Sequence, residues 1–403
     1  MDVLVAGGHG HTGRRLLRLL AGMPILAAVL LAAPAGAATL PTGPAGTKFY
    51  TPPKTLPARH GTPIRARRLT GKAVLKSAGA NRLFLYTSTS VAGRTVAVSG
   101  TVAVPKGVPP KGGWPVISWA HGTTGIADRC AMTRADVARG YDRPLLNRWL
   151  EAGYAVVRTD YEGLGTPGDH PYLIGESEAR SVLDATRAAH RVLPGLSRQT
   201  VVAGHSQGGQ AALWAASRAK RWTPELLLEG TVALAPISHL GEQAVAARAL
   251  TSPGPLSGLV GMIARGLDIG VPGLDVPALL GDQAKALYPR TDTDCLPQLA
   301  SPAEFGALAP GSIFRPDVPL DPVVTALNAN DAESVSPGGP VLIEQGTADG
   351  TVLEPFTDQL AAEYTGKGLK VTYKTYDGVT HEGVVTSKAP ADEATRWIQD
   401  RLG

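Results

Sequence analysis

The chain is poor in residues that bind metal ions. Its 403 residues include two cysteines and nine histidines, and no histidine lies at a metal-ligand spacing from a carboxylate. Two cysteines do not form a zinc site by themselves. We therefore expect no metal ion in the functional site.

Acidic residues are missing from the first third of the chain. No Asp or Glu occurs between Asp2 and Asp128, whereas residues 39–127 contain twelve Lys and Arg. Such a segment is compatible with peripheral contact to lipid head groups or cell-envelope polymers, and also with a solvated surface that the acidic remainder neutralises. Its charges are spread out, without interleaved aromatic residues or a binding motif, so we expect no nucleic-acid partner.

Long hydrophobic runs are missing as well. The main apolar stretch, residues 19–33, is interrupted by Pro24 and is too short to span a bilayer about 30 Å thick. Basic residues precede this stretch and small residues follow it, which is the pattern of a secretory signal peptide. We expect residues 1–38 to be a signal peptide with an N-terminal extension, cleaved near Ala37-Ala38. The mature protein would then be secreted or associated with the cell envelope.

The first glycines of the chain imitate a dinucleotide-binding motif. Residues 3–13 place an apolar run before glycines three positions apart. The motif also requires a helix and a second strand that ends in an acid, and neither follows. We therefore expect no nucleotide and no other cofactor.

The most informative motif is Gly204-His205-Ser206-Gln207-Gly208. It follows an apolar segment, residues 200–203, and precedes an alanine-rich segment, residues 210–219. A G-x-S-x-G sequence between a strand and a helix is typical of a nucleophile elbow, a strained turn that exposes the serine hydroxyl. The positions two before and two after the serine must be small, because a Cβ atom there would meet the neighbouring strand or helix. The alternative is a glycine-rich turn without chemistry.

A nucleophilic serine needs a base, and the base needs an acid that orients it. After a nucleophile elbow, the acid and then the histidine follow along the chain. Residues 341–346 have the pattern of a buried strand with Asp349 in the loop after it, and residues 369–376 alternate like a strand that leads to His381. The carboxyl ends of parallel strands meet at one edge of a sheet. We therefore expect Ser206, Asp349 and His381 to form a catalytic triad.

Other acids and histidines fit this chemistry less well. Asp160 and His170 precede the serine, which is the wrong chain order. The carboxylates that flank His381 are too close in sequence to orient its ring from the far side. His205 belongs to the elbow motif, and we expect it to pack there rather than to act as the base.

The negative charge that develops on an ester oxygen needs hydrogen-bond donors. One donor should be the N–H of Gln207, because this residue directly follows the nucleophile. The second should come from a loop after an earlier strand. Residues 114–120 read as that strand, and His121-Gly122-Thr123-Thr124-Gly125 follow it. We expect the N–H of Thr123 to be the second donor and His121 to brace the loop.

In combination, these motifs resemble the secretory lipase branch of the α/β-hydrolases. The likeness covers roughly residues 80–400 and rests on residues 96–105, the loop at 121–125 with Cys130 beyond it, and residues 160–165, 170–173, 204–208 and 346–352. The resemblance implies an exported serine esterase or lipase with a cap over the active site. It also implies a disulfide between Cys130 and a cysteine of the cap, Cys295; the alternative is two buried free thiols.

The order of the expected elements predicts an α/β fold. Strands alternate with helices, which indicates a mostly parallel sheet with helices on both faces. Residues 239–336 lack strand alternation and are rich in Ala, Leu, Gly and Pro. We expect this segment to be a mainly helical cap, inserted after the sixth core strand of an α/β-hydrolase core at residues 39–238 and 337–403.

The sequence therefore predicts a serine carboxylic-ester hydrolase, a lipase or esterase, that acts on a small-molecule or lipid ester through an acyl-enzyme intermediate. One alternative is an exported serine peptidase or amidase of the same fold; the apolar cap disfavours it. The other is a non-catalytic envelope-binding protein, which has no physical need for an intact Ser, Asp and His. The sequence makes no prediction of acyl chain length or oligomeric state.

Overall fold

Nine strands form one sheet in the computed structural model, which describes residues 40–134 and 140–403. They are β1 (Pro63–Arg68), β2 (Ala80–Thr89), β3 (Thr95–Val104), β4 (Trp114–Ala120), β5 (Ala155–Thr159), β6 (Leu196–His205), β7 (Leu227–Leu234), β8 (Val341–Gly346) and β9 (Val371–Tyr376). The strand order is β1-β2-β3-β5-β4-β6-β7-β8-β9. The pairs from β1 to β5 are antiparallel, and the pairs from β5 to β9 are parallel.

Twelve α-helices lie within the described residues. They are α1 (Arg143–Glu151), α2 (Gly175–Val192), α3 (Gln207–Trp222), α4 (Leu240–Ala247), α5 (Leu256–Gly270), α6 (Val276–Leu279), α7 (Asp282–Leu287), α8 (Leu296–Leu299), α9 (Asp321–Asn330), α10 (Glu354–Gly366), α11 (Gly383–Thr386) and α12 (Lys388–Leu402). Short 3-10 helices occur at Gly46–Tyr50, Asp128–Cys130, Tyr288–Asp292, Phe305–Ala307, Pro310–Ser312 and Ala332–Ser334.

Helices cover both faces of the sheet because successive side chains of its strands point to opposite sides. Val201 of β6 packs in one cluster with Trp149 of α1 and Trp397 of α12. Its neighbour Val202 packs in another cluster with Val182 of α2 and residues of α3. The predicted fold class, an α/β-hydrolase fold with a mostly parallel sheet between two helical layers, is confirmed.

Strand β1 was not expected from the sequence. Its residues, Pro-Ile-Arg-Ala-Arg-Arg, contain three arginines, and the strand pairs on one side with β2. An edge strand with charged side chains lacks the apolar alternation by which strands are recognised, and such charges protect the open edge from other chains. Because β1 adds one strand at the start of the chain, the strand before the predicted cap, expected to be the sixth, is the seventh strand, β7.

The helices before and after the elbow agree with the apolar periodicity. The helical spacing of apolar and small residues predicts a helix over 176–191, and α2 spans Gly175–Val192. The residues that form this predicted core face are buried: Ala179, Val182, Leu183 and Thr186. The helix after the elbow was expected at 210–219, whereas α3 begins at Gln207. The helix therefore starts directly after Ser206, which brings its first N–H groups to the serine.

Between β7 and β8 the chain forms helices α4 to α9, a segment called the insertion below. Its apolar side chains form their own cluster, which includes Met262, Phe305 and Ile313. The cluster also contains Tyr172 and Ile174, which lie just before α2. The insertion is thus seated on the segment that leads into α2.

The predicted signal peptide, residues 1–38, lies outside the described residues. In the part of the chain that is described, no helix has the length and apolar character needed to cross a membrane.

Candidate active site

Ser206 occupies the turn between β6 and α3. Its backbone angles are φ 59° and ψ −120°, a combination that side-chain-bearing residues rarely adopt. The Ser206 N–H donates to the carbonyl of Leu234 in β7 at 2.9 Å, and its carbonyl accepts from the N–H of Gly209 at 2.8 Å. Only 5 % of the residue is exposed. The turn therefore has the geometry expected of a nucleophile elbow.

The two outer glycines of the elbow are required by close backbone contacts. A Cβ atom on Gly204 would lie 2.9 Å from the carbonyl oxygen of Ala120 and would also meet the backbone of Gly208. A Cβ atom on Gly208 would meet the carbonyl oxygen of Ala120 and lie 2.7 Å from that of His121. Since these neighbours are backbone atoms, they have little freedom to move aside.

The predicted acid and base are hydrogen-bonded to each other. Asp349 follows β8 and His381 follows β9, and the distance from Asp349 Oδ2 to His381 Nδ1 is 2.7 Å. The other carboxylate oxygen of Asp349 accepts from the N–H groups of Thr351 and Val352, each at 2.8 Å. The carboxylate accepts the Nδ1 proton, so the lone pair of His381 lies on Nε2, the atom that a general base uses.

His205 connects the elbow to the loop that carries His381. Its Nε2 lies 2.9 Å from the backbone carbonyl of His381, and its Nδ1 lies 2.7 Å from the Tyr141 hydroxyl. Because a carbonyl oxygen only accepts, Nε2 carries the proton and Nδ1 accepts from the tyrosine. Burial, and then the nearby His381, lower the pKa of His205 well below its usual value. His205 is therefore a neutral support for the His381 loop.

The loop after β4, His121–Gly125, is called the oxyanion loop below. The Thr123 hydroxyl lies 2.7 Å from that of Tyr172, and the Thr124 carbonyl accepts from Leu296 N–H in the insertion at 3.0 Å. Within residues 40–134 and 140–403, neither Thr123 nor Gln207 has a hydrogen-bond partner for its backbone N–H.

His121, the first residue of the oxyanion loop, is buried. Its Nδ1 lies 2.7 Å from the carbonyl of Gly122, and its own carbonyl accepts from the Tyr161 hydroxyl at 2.9 Å. Burial lowers the pKa of His121 to about 4. A neutral ring in these contacts supports the loop, the role expected for it from sequence.

A buried polar network holds the side chain of Gln207. The amide Nε2 donates to Glu178 Oε1 at 2.7 Å and lies 3.3 Å from His170 Nε2. Glu178 also accepts from the N–H of Leu173 at 3.1 Å. Burial raises the pKa of Glu178 to about 8 and lowers that of His170 to about 4. His170, the rival base in the sequence, therefore belongs to this network.

Glu178 was missed by the sequence analysis, although a signal for it exists. It lies four positions before Val182 on the core face of α2, where both residues are buried. An acid at a core position of an amphipathic helix is costly unless it is paired. The sequence pattern could therefore have identified Glu178 as a buried, hydrogen-bonded acid. It could not have shown that Gln207 is its partner.

Cys130 and Cys295 form a disulfide, with their Cα atoms 5.6 Å apart. Both residues are buried, and Cys295 also pairs with Gly125 at the end of the oxyanion loop. The disulfide thereby joins the oxyanion-loop region to the insertion.

The carboxylate of Asp160, the other acid weighed from sequence, serves the packing of the core. It accepts from the Ser99 hydroxyl at 2.6 Å and from the N–H of Thr133 at 3.1 Å. Among the described residues, no group of three or more His, Cys, Asp or Glu is arranged to hold a metal ion.

Comparison with known proteins gives a consistent set of relatives. A family model described as secretory lipase matches residues 131–403. A Mycobacterium tuberculosis protein named "probable inactive lipase" is 28 % identical over 390 residues, which is 90 % of this chain and 83 % of that protein. Lipase A of Moesziomyces aphidis is 29 % identical over 270 residues, which is 62 % of this chain and 55 % of that protein.

The fold is also that of a solved lipase structure. Candida antarctica lipase A matches with a TM-score of 0.70 at 22 % identity, over 83 % of this chain and 80 % of that chain. At this identity the likeness shows the fold and does not assign the chemistry.

Proposed function

Because this chain belongs to the secretory lipase family, we propose that it is a secreted serine carboxylic-ester hydrolase that uses Ser206, Asp349 and His381. The hydrogen bond between His381 and the buried Asp349 carries the proposal. It orients an imidazole with a free Nε2 at the sheet edge where the elbow presents Ser206. The family and the lipase relatives support ester hydrolysis as the reaction class.

The mechanism follows from these positions. Nε2 of His381 takes the proton from the Ser206 hydroxyl as the serine oxygen attacks the ester carbonyl. The N–H groups of Gln207 and Thr123 stabilise the oxyanion, and Asp349 stabilises the imidazolium. The C–O bond to the alcohol then breaks, and the alcohol leaves with the proton from His381. Water, activated by the same histidine, hydrolyses the acyl-serine and regenerates the free enzyme.

Catalysis needs support beyond family membership, because one relative is named an inactive lipase. A binding protein would not need the strained angles of Ser206, which cost on the order of 1–3 kcal/mol. Nor would it need a buried carboxylate held by two backbone N–H groups and a histidine. These features support an active enzyme over the envelope-binding alternative.

The proposed export of the protein rests on the family and on the disulfide. Disulfides persist in oxidising compartments and are rare in the cytosol. The bond between Cys130 and Cys295 therefore supports secretion, together with the signal-like pattern of residues 1–38.

A graded series of p-nitrophenyl esters, from acetate to palmitate, tests the function. We expect Ser206→Ala to lower kcat by at least about four powers of ten, because only the oxyanion donors and substrate binding would remain. Ser217→Ala is the matched control, since Ser217 lies in α3, the helix that follows Ser206, and its hydroxyl donates to the Trp214 carbonyl. A peak at long chains indicates a lipase, and a peak at short chains indicates a carboxylesterase.

A fluorophosphonate probe separates the remaining alternatives. Labelling that depends on Ser206, without ester turnover, would favour the peptidase or amidase, and peptide hydrolysis would then be measured. Folded protein that neither labels nor hydrolyses any ester would contradict the proposal and favour the binding protein.

A further inference from the structure

A cavity of about 360 Å³ lies beside the antiparallel edge strand. Its charged lining consists of Arg67 and Arg68 of β1 together with Arg129 and Arg134. Leu69 and Leu83 add an apolar surface. None of the lining residues belongs to the proposed triad or the oxyanion loop, so this arginine cavity is independent of the proposed function.

Among the described residues, one carboxylate, that of Asp128, forms an ion pair with an arginine of the cavity. Arg68 and Arg129 are exposed and form no ion pair within residues 40–134 and 140–403. Arg134 pairs with Asp128 at 3.0 Å, but half of that carboxylate is exposed, which weakens the pair. No described Asp or Glu lines the cavity. Four guanidinium groups around one space repel each other, and an anion between them would relieve this repulsion.

Two of the arginines are held in place by neutral groups. Arg67 donates to the carbonyl of Pro44 at 2.9 Å and lies 4.4 Å from the centre of the Phe49 ring. Arg134 donates to the carbonyl of Gly165 at 3.0 Å and lies over the Tyr50 ring. These contacts orient the two side chains and add no negative charge to that of Asp128, which is the pre-organisation that favours binding of an anion.

A buried acid, Asp160, contacts the lining residue Thr133. The Thr133 hydroxyl donates to Asp160, which also accepts from Ser99. Burial raises the pKa of Asp160 to about 6. The buried Arg158 lowers the pKa of Asp160 against this effect of burial, and Asp160 is not among the residues that line the cavity.

We propose that the arginine cavity binds a phosphate-bearing ligand of the size of glycerol phosphate. Guanidinium groups form paired hydrogen bonds with phosphate oxygens, and the exposed hydroxyls of Thr47 and Thr70 add further donors. The volume is at the lower end of the range of small-molecule pockets, about 300–1,000 Å³, and far exceeds the roughly 30 Å³ of a water molecule. The phosphate can belong to a lipid head group or to a free phosphate ester.

Calorimetry with glycerol 1-phosphate at low salt tests the site. Unaltered protein, expressed as the full chain, is compared with the double variant Arg68→Gln/Arg129→Gln. The two side chains are exposed and form no ion pair with any residue that the structure describes. The matched control is Arg94→Gln, an exposed arginine that, like Arg68, lies in the acid-free segment but does not line the cavity. We expect at least a tenfold loss of affinity in the double variant and less than a twofold change in the control.

Sedimentation with vesicles distinguishes the two sources of phosphate. Binding to phosphatidylglycerol vesicles but not to phosphatidylcholine vesicles, lost in the double variant, would identify a lipid head group. Binding of glycerol 1-phosphate without vesicle binding would identify a free phosphate ester. The proposal is overturned if the unaltered protein binds neither probe, or if a double variant with unchanged Tm binds both probes as well as the unaltered protein does.

Discussion

Some side chains around Ser206 have a proposed role in the reaction, whereas others hold the catalytic residues in position. Asp349 orients His381 through a 2.7 Å hydrogen bond, and His205 holds the same loop through the His381 carbonyl. Glu178 lies one step further away and contacts the side chain of Gln207, whose backbone is a proposed oxyanion donor. Changes at these positions should therefore differ in whether they affect the reaction, the site geometry or stability.

The Asp349→Asn variant should lose activity but stay folded. An amide at this position no longer selects the His381 tautomer with a free Nε2, which costs on the order of 10⁴ in kcat in a comparable triad. The measurement is kcat on the best p-nitrophenyl ester, with Tm as a check of folding. Asp377→Asn is the control, because Asp377 lies near His381 in sequence but accepts from the Thr347 hydroxyl. A larger loss in the control would mean that the acid is wrongly assigned.

Glu178→Gln should change how stability depends on pH. Burial raises the pKa of Glu178 to about 8 in the folded protein, whereas an unfolded Glu titrates near 4.3. The folded state therefore holds the extra proton between these values, and its stability declines as the pH rises towards 8. The glutamine of the variant has no carboxyl group that titrates in this range. The free energy of unfolding of the variant should therefore fall less between pH 6.5 and pH 8 than that of the unaltered protein.

Urea unfolding at the two pH values measures this difference. Glu176→Gln is the matched control in the same helix. Arg218 and Arg180 lower the pKa of Glu176, against the effect of its burial, so that carboxyl is ionised throughout this range. Equal pH dependence in the unaltered protein and Glu178→Gln would contradict the assignment.

Among the strands and helices, the positions of the proposed catalytic groups follow from parallel pairing. β6, β8 and β9 run in the same direction, so Ser206, Asp349 and His381 all follow strands at one edge of the sheet. The elbow adds a close approach between β4 and the start of α3, which leaves no space for a Cβ atom at Gly208. Strand order thus positions the groups, and the glycines permit the turn.

Gly208→Ala should destabilise the protein and abolish esterase activity. The new methyl group would meet the carbonyl oxygens of Ala120 and His121, and overpacking against atoms that cannot move typically costs about 1–3 kcal/mol or more. Gly366→Ala is the control at the end of α10, where nothing lies within 4 Å of the added atom. We expect the control to be neutral or more stable by about 0.4–1 kcal/mol. Comparable Tm values for the two variants would contradict the packing argument.

For the molecule as a whole, a disulfide links the insertion to the core in addition to the continuous backbone. Cys130 and Cys295 are 165 residues apart in sequence, and the nearby hydrogen bond from Leu296 to Thr124 reaches the oxyanion loop itself. The insertion therefore contributes both to overall stability and to the position of a proposed oxyanion donor.

The double variant Cys130→Ser/Cys295→Ser should unfold more easily and hydrolyse esters more slowly. Loss of a cross-link over so long a segment costs up to about 5 kcal/mol in the chain-entropy model. Thermal unfolding with and without dithiothreitol measures the effect. The reductant should lower the Tm of the unaltered protein and leave that of the variant unchanged. A variant as stable as the unaltered protein would show that the disulfide does not constrain the fold.

Local sequence patterns were sufficient for the fold class, the family and the candidate residues. A glycine-flanked serine between an apolar strand and a helix is a short-range pattern, and the chain order of acid and histidine follows from it. The helix α2 and the strand β8 were also predicted, because apolar periodicity records which face is buried. The edge strand β1 was not predicted, since its three arginines interrupt the apolar alternation that indicates a strand.

Contacts between distant residues required the three-dimensional structure. His205 meets the carbonyl of His381 across 176 positions, and the arginine cavity combines β1 with residues 129–134. Glu178 reaches Gln207 from another helix. No short-range pattern encodes these pairs, because their distances depend on how whole strands and helices pack. The sequence therefore predicts which chemical groups the protein has, whereas packing sets which groups meet and how their pKa values shift.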